Sequence, residues 1–287
     1  MKSSYKISSG PHIHSRMTIG NIYIYLILAL LPSCMYALYA HEFEALKIIG
    51  ITTCSAVVSE YLFQLIFKKT STIGEFHSVY LGMLLALHFP AQTPWWLCVI
   101  GGVFSVLIFK PMNLLQPVAA TKMFLMIVFG TLYPFFSTTV VTVSKNETFL
   151  LYDLLIGNTI GPIGTTSVIA ILLGAAFLIV MEVLDIRIPM MCILSFLMYC
   201  MIFSLRGLDV QYLVSQLCSG TFMFDVWFLA PDYRTVPITK NGRVVYGILL
   251  GILIGIIRIH LGFADGILLS ILMVNLMTPL IEKLFKR

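Results

Sequence analysis

Thr148-Phe-Leu-Leu-Tyr-Asp-Leu-Leu-Ile-Gly-Asn-Thr-Ile-Gly-Pro-Ile-Gly-Thr-Thr-Ser167 divides the chain in two. Long hydrophobic blocks flank it, and its three glycines and one proline keep it from being a continuous spanning helix. Gly157, Gly161 and Gly164 suit a backbone that closes on another surface. Thr165, Thr166 and Ser167 are N-cap residues placed before the apolar run that opens at Val168. A helix is therefore expected to start there, with its N-terminus facing this seam.

The flanking blocks fix the class. Hydrophobic residues make up 59% of the chain and charged residues 11%, against roughly 25% charged in a soluble domain. Mean hydropathy is +0.96. This is an all-α polytopic membrane protein in contact with the lipid bilayer. Residues 1–20 form a polar, basic leader with no cleavable signal pattern, so the first span is expected to remain as an anchor. His12 and His14 in that leader read as solvated interfacial residues. The six cysteines stand singly, with no Cys-x-x-Cys pair, and suit packing better than metal or disulfide chemistry. The net charge of +5 resides in loops and ends, which leaves no nucleic-acid partner in the reading; with the cysteines standing singly, no metal site is expected.

Residues 21–136 hold five apolar segments: Asn21 to Ala40, Ile48 to Phe67, a short Val79 to Phe89, Trp95 to Phe109, and Leu114 to Phe136. Residues 137–167 form the seam. Residues 168–287 repeat the order with Val168 to Val180, Ile188 to Leu205, Tyr212 to Ala230, Val244 to Ile257 and Gly266 to Phe285. About ten spans result, the longer ones sufficient to cross a ~30 Å hydrocarbon core. Lys68, Lys69, Lys110, Arg187, Arg234, Lys240, Arg243, Lys283, Lys286 and Arg287 fall in alternate connections, which places both termini in the cytoplasm and the seam outside. Five spans per half is an odd number, so the second half must run inverted relative to the first. The short segments and the prolines Pro90 to Pro94 and Pro231 to Pro237 fall in matching places. Such inverted five-helix repeats place their sites where short or broken helices meet.

Several stretches carry a family resemblance: Ser9-Gly-Pro-His-Ile-His-Ser, Ser59-Glu-Tyr-Leu-Phe-Gln, Gly157-Asn-Thr-Ile-Gly-Pro-Ile-Gly-Thr-Thr-Ser, Phe228-Leu-Ala-Pro-Asp-Tyr-Arg-Thr-Val-Pro, and Asp265-Gly-Ile-Leu-Leu-Ser-Ile-Leu-Met-Val-Asn-Leu-Met-Thr-Pro. Together they resemble the RnfD component of Rnf electron-transport complexes and the related NqrB component of sodium-pumping NADH:quinone reductase, over nearly the whole chain. The resemblance implies a ten-helix inverted-repeat fold in the cell membrane, other membrane and peripheral subunits as partners, and a flavin passing electrons coupled to sodium or proton movement. The chain would not be catalytic alone.

The chain departs from that pattern in three places. Members attach FMN to a threonine in a Ser-Gly-Ala-Thr motif, and here the nearest hydroxyl cluster, Ser137-Thr138-Thr139, lacks the glycine and alanine. Any flavin, riboflavin or FMN, is therefore expected to be non-covalent. The family's Asn-x-x-Asn-Pro-Ala reads Asn113-Leu-Leu-Gln116-Pro117-Val-Ala, after a shortened turn. Thr165 stands where relatives usually carry glutamate.

Polar groups inside the apolar blocks are few, and each is expensive at membrane depth unless paired. Glu60 matches the family's membrane glutamate, which implies a cation pathway; a snorkelling carboxylate, or one paired with a lysine such as Lys68, is the plainer alternative. Lys122 and Asp225 come from different halves and could neutralise one another. Asn113, Gln116 and Asp232 beside the broken spans suit the polar edge of an isoalloxazine ring, as the resemblance implies, or simply cap loops. Thr166 and Ser167, at a helix N-terminus, could hold an anionic phosphate. A different class of function, a redox-silent channel or transporter for a small solute, is equally compatible with inverted repeats and broken helices.

Overall fold

A computed structural model describes residues 18–68, 73–112, 114–133, 151–159, 161–204, 209–262 and 266–285. The expectations placed on His12, His14, Lys69, Asn113, Ser137 to Thr139, Lys286 and Arg287 lie outside these residues. Among the described residues all regular structure is helical.

The helices are α1 (Ile19–Ile66), α2 (His77–Leu87), α3 (Trp95–Phe104), α4 (Pro117–Phe129), α5 (Leu151–Ile156), α6 (Val168–Val180), α7 (Arg187–Phe203), α8 (Val210–Cys218), α9 (Phe222–Phe224), α10 (Lys240–His260) and α11 (Gly266–Phe285). The first two expected spans are the two limbs of α1. They turn at one residue, Glu42, with φ 46° and ψ −122°. The intervening His41-Glu-Phe-Glu-Ala-Leu-Lys has neither glycine nor proline, so helix formers carry the chain almost to the corner from both sides. Counting these limbs separately and α8 with α9 as one broken rod, the described residues form ten rods besides the short α5. Among the described residues four helices, one of them α3 with its extension to Met112, have the length and apolarity to cross a membrane; α2, α4, α6 and α7 are apolar but shorter. At 11 residues, α2 is only ~16 Å long, about half a bilayer core.

The expected span Tyr212 to Ala230 is interrupted, which its composition does not announce. α8 ends at Cys218, Gly220 takes φ +70°, and the chain restarts as α9 and a π turn, Asp225–Leu229. Arg258 of α10 closes the break. Its guanidinium donates to the carbonyls of Gln216 at 2.6 Å and Ser219 at 3.1 Å, satisfying backbone acceptors freed at the end of α8. A second π turn, Ser105–Phe109, extends α3.

Each half contains the same close helix contact. In the first, Gly102 of α3 lies so near the second limb of α1 that an added Cβ would fall 2.0 Å from Ser55 Oγ. In the second, Gly251 of α10 lies against α7, and an added Cβ would fall 2.0 Å from Ser195 Oγ. Both serines donate back to the carbonyl three residues earlier, Thr52 at 2.9 Å and Cys192 at 3.1 Å. Small residues that let backbones approach are the usual device for packing helices in lipid.

The seam folds across the C-terminal end of α2. Ile163 N–H donates to Phe89 at 3.0 Å and Gly164 N–H to Leu87 at 3.1 Å, bracketing His88. An added Cβ on Gly164 would sit 2.2 Å from Leu87 Cδ2, so only glycine fits. Tyr36 hydroxyl donates to the Gly157 carbonyl at 2.7 Å and fastens the seam to α1. Ser167 caps α6 by accepting from Ala170 N–H at 3.4 Å, as the run of hydroxyl residues implied.

Candidate functional site

Polar chemistry gathers at the two ends of α2. At its N-terminal end, Glu60 is 5% exposed. Its carboxylate accepts from Lys110 Nζ, from Ser78 Oγ, and from Gln64 Nε2 at 3.1 Å. The expected carboxylate–lysine pair thus exists, but its cation comes from the far end of the π turn rather than from Lys68. Exposed Lys68 sits at the end of α1 with a positive φ of 48°. Arg234 reaches the same place from the loop after the Asp225–Leu229 π turn and donates to the Lys110 carbonyl at 3.0 Å.

Beside this cluster Tyr23 stacks on His77, with ring centroids 4.5 Å apart, and leans on Tyr80 at 5.9 Å. Tyr80 hydroxyl donates to the Phe228 carbonyl at 3.3 Å. A closed cleft lined by Tyr23, Tyr80, Trp227 and Asp232 has about 20 Å³ of space, room for one water. Asp232 is half-buried, and burial pushes its carboxyl up to about 6 against the pull of the Arg234 backbone N–H and guanidinium. An adjoining cleft of about 240 Å³ is lined by Leu114, Tyr233, Arg234, Thr235, Thr278 and Glu282.

Gln116, 1% exposed, caps α4 by accepting from Ala119 N–H at 2.6 Å. It stands two residues from Leu114 in that adjoining cleft. Glu60, Gln116 and Asp232 are therefore brought to one end of the fold. Thr166 and Ser167 are not, because they belong to the seam at the opposite end of α2, roughly 16 Å away. Sequence reading also missed Trp227 and Thr235, whose Nε1 and Oγ1 are buried without hydrogen-bond partners among the described residues. Neither has a sequence signal, since an indole or a threonine beside a proline reads as packing.

Of the basic residues expected on one membrane face, Arg187 and Arg243 lie at this end with Lys110 and Arg234. Arg243 donates to Asp185 at 2.6 Å, Arg187 lies 3.7 Å from the same carboxylate, and Ile238 N–H donates to Glu282 at 3.4 Å. Burial raises the Asp185 carboxyl, yet the hydrogen bonds from Arg243 and Arg187 and their charges outweigh it and hold it below the usual range.

At the other end of α2 is a pair that spacing could not disclose. His88 and Asp225 are both 0% exposed, and His88 Nε2 lies 2.6 Å from Asp225 Oδ1. Asp225 thus shares a hydrogen bond with His88, a partner that sequence reading did not set beside Lys122. Lys122 lies buried on α4.

Together these features define a polytopic helical membrane protein in which two sets of helices meet around short and broken segments that hold buried charge. The chain belongs to the NQR2, RnfD, RnfE family, whose model matches residues 6–287. Similar proteins are named as components of ion-translocating oxidoreductase complexes. It is 32% identical to the component designated D of the Na(+)-translocating ferredoxin:NAD(+) oxidoreductase complex of Acetobacterium woodii, over 98% of this chain and 93% of the relative. It is 34% identical to the corresponding component of the ion-translocating oxidoreductase complex of Methanosarcina acetivorans, over 98% and 95%. The corresponding component of the proton-translocating ferredoxin:NAD(+) oxidoreductase complex of Clostridium ljungdahlii is 26% identical, over 98% and 95%.

Proposed function

We propose that the chain is a flavin-carrying membrane subunit of an Rnf-like ion-translocating oxidoreductase, working with other membrane and peripheral subunits in the cell membrane, with both termini cytoplasmic. The observation that carries the reading is similarity along almost the full chain to relatives named as the same component of such complexes. The gathering of Lys110, Arg187, Arg234 and Arg243 at one end supports the orientation.

The flavin fits the donor set at the N-terminal end of α2. Trp227 Nε1 and Thr235 Oγ1 lack partners among the described residues, and a carboxyl near pH 6 at Asp232 can accept or donate. Asp232, Thr235 and Trp227 would hold the polar edge of the ring, with Gln116 and Asn113 at its border. The cleft of about 240 Å³ is slightly below the ~300 Å³ of small ligand pockets, so Tyr233 must shift to seat it. A bound flavin supplies the capacity to accept and pass on electrons. The protein's part is to exclude water, through Tyr23, Tyr80 and Trp227, and to set the charge around the ring through Asp232 and Arg234. Thr166 and Ser167 are buried in the seam, so a phosphate there would be a separate site reached only by opening it.

Glu60 is the proposed ion-pathway residue. Lys110 now occupies the position a cation would take beside its carboxylate, so a cation is admitted as Lys110 swings aside. Purification of the chain with its co-expressed partner subunits tests the whole reading. A yellow protein supporting ferredoxin-dependent, cation-stimulated electron transfer is expected. A colourless chain that moves a small solute would replace it with the transporter reading.

A further inference from the structure

We propose that His88 and Asp225 form a one-proton site that latches the two halves together. The hydrogen-bond geometry carries the argument. His88 Nδ1 lies 2.8 Å from the Leu84 carbonyl, which can only accept, so Nδ1 bears a hydrogen. Nε2 then faces Asp225 Oδ1 at 2.6 Å. Two lone pairs cannot stand at that distance in a dry interior, so one proton lies between them, on either the imidazole or the carboxyl. With it the pair is neutral overall. Without it the pair carries one negative charge, with no water to solvate it.

The site is closed and incompletely satisfied. Asp225 Oδ2 is buried without a hydrogen-bond partner among the described residues. Phe224 packs edge-on to the imidazole at 5.0 Å. Backbone bonds from Ile163 and Gly164 bracket His88 in the seam, and Asp225 N–H donates to the Thr221 carbonyl at 2.9 Å, so the pair ties the seam to the broken rod. Thr165 Oγ1 and Thr221 Oγ1, on these two segments, are also buried without partners among the described residues, and hydroxyls in this position are what a proton needs to leave by.

The charged and basic groups on the elements packed against α2 and the Asp225–Leu229 π turn are His41, Glu42, Glu44, Lys47 and Glu60 of α1, Lys122 of α4, Arg187 of α7, and Glu282 and Lys283 at the far end of α11. Glu60 is held by Lys110 at the opposite end of α2. The remaining titratable side chains are neutral tyrosines and cysteines, chiefly Tyr23 and Tyr36 of α1, Cys98 of α3 and Cys192 of α7. The described residues of the seam and α6 contribute none beside His88. Loss of the proton makes Nε2 and Oδ1 repel, and that repulsion opens the α2 to π-turn contact. The site would thus link proton binding to the distance between the halves, whether or not the chain carries a flavin.

The test uses the full chain in lipid nanodiscs. Infrared spectra in H₂O and D₂O should show a protonated carboxyl or an imidazolium that disappears as pH is raised. Asp225→Asn should abolish it, because the amide donates permanently to a neutral Nε2. Hydrogen exchange of residues 161–167, corrected for intrinsic rates, should rise across the same pH range in the wild type and stay flat in Asp225→Asn; each pKa unit of displacement between latched and open forms gives about a tenfold rise in total. Parallel exchange profiles in the two proteins would overturn the latch. Should Asp225→Asn fail to fold, His88→Gln and the wild-type infrared titration decide: a signal unchanged between about pH 5 and 8 overturns the proposal.

Discussion

Arg234 donates to the main-chain carbonyl of Lys110 at 3.0 Å, and Lys110 in turn holds the carboxylate of Glu60. The loop after the broken rod is thus coupled to the proposed ion-pathway residue through one intervening lysine. Arg234→Gln should loosen Lys110 without removing any charge from Glu60. Its expected effect is a change in cation dependence with assembly intact, measured as the cation concentration for half-maximal turnover of the complex.

Lys110→Met removes the cation that lies against the buried Glu60 carboxylate, a loss of up to ~3–5 kcal/mol. Glu60→Gln keeps volume and can still bond Ser78 and Gln64, so it should be milder while raising the cation requirement. The double variant Glu60→Gln, Lys110→Met should recover most of the stability lost in Lys110→Met. Thermal unfolding of all three in detergent checks this; additive losses would show that the pair is not coupled.

Asp232 titrates near 6 in the folded chain against an ordinary 3.8. The folded state therefore binds this proton more tightly than the unfolded one. Its contribution to stability is complete below about pH 4 and is lost as pH rises through about 6. Midpoints of thermal unfolding should fall over that window in the wild type, and Asp232→Asn should remove that part of the slope.

Gly251→Ala would drive a Cβ to 2.3 Å from the Cys192 carbonyl oxygen as well as into Ser195. Ser195→Ala cannot relieve the backbone clash, so the double variant should remain unstable, by about 1–3 kcal/mol. Gly50→Ala is the control. Nothing lies within 4 Å of an added Cβ there, and up to about 1 kcal/mol of stabilisation is expected from helix propensity. Equal behaviour at both positions would argue against the tight α7–α10 contact.

Lys145→Cys should react with an impermeant thiol reagent applied outside, and Lys240→Cys should be spared, if the termini are cytoplasmic. In the same preparations a denaturing gel should show no flavin fluorescence, since Ser137-Thr138-Thr139 lacks the attachment motif. A fluorescent band lost in Thr138→Ala or Thr139→Ala would reverse that.

The helical class, the short third segment, the start of α6 and the closing glycines of the seam were legible because each depends on local chemistry: hydropathy, a proline, an N-cap, a missing side chain. Gly164 against Leu87 shows how literally a glycine can be read. The break in α8–α9 was signalled only by Ser219-Gly220, too weak to stand out within an apolar run. His88 and Asp225 were out of reach for another reason. Each has a plausible local explanation alone, and only packing across 137 residues of chain brings them together. Lys110 was misplaced similarly, because Lys68 is nearer to Glu60 in sequence, but α1 points it into solvent.

That separation also has a meaning for biosynthesis. Tyr36 waits for Gly157, His88 for Asp225 and Tyr80 for Phe228, partners 121, 137 and 148 residues later. At about 5–20 residues per second, a ribosome takes roughly 6 to 30 seconds to supply them. Throughout that interval the first five rods sit in the bilayer with an imidazole and two phenols unpaired, and the nascent half must be sheltered by lipid headgroups, water or an insertion partner until its second half is made.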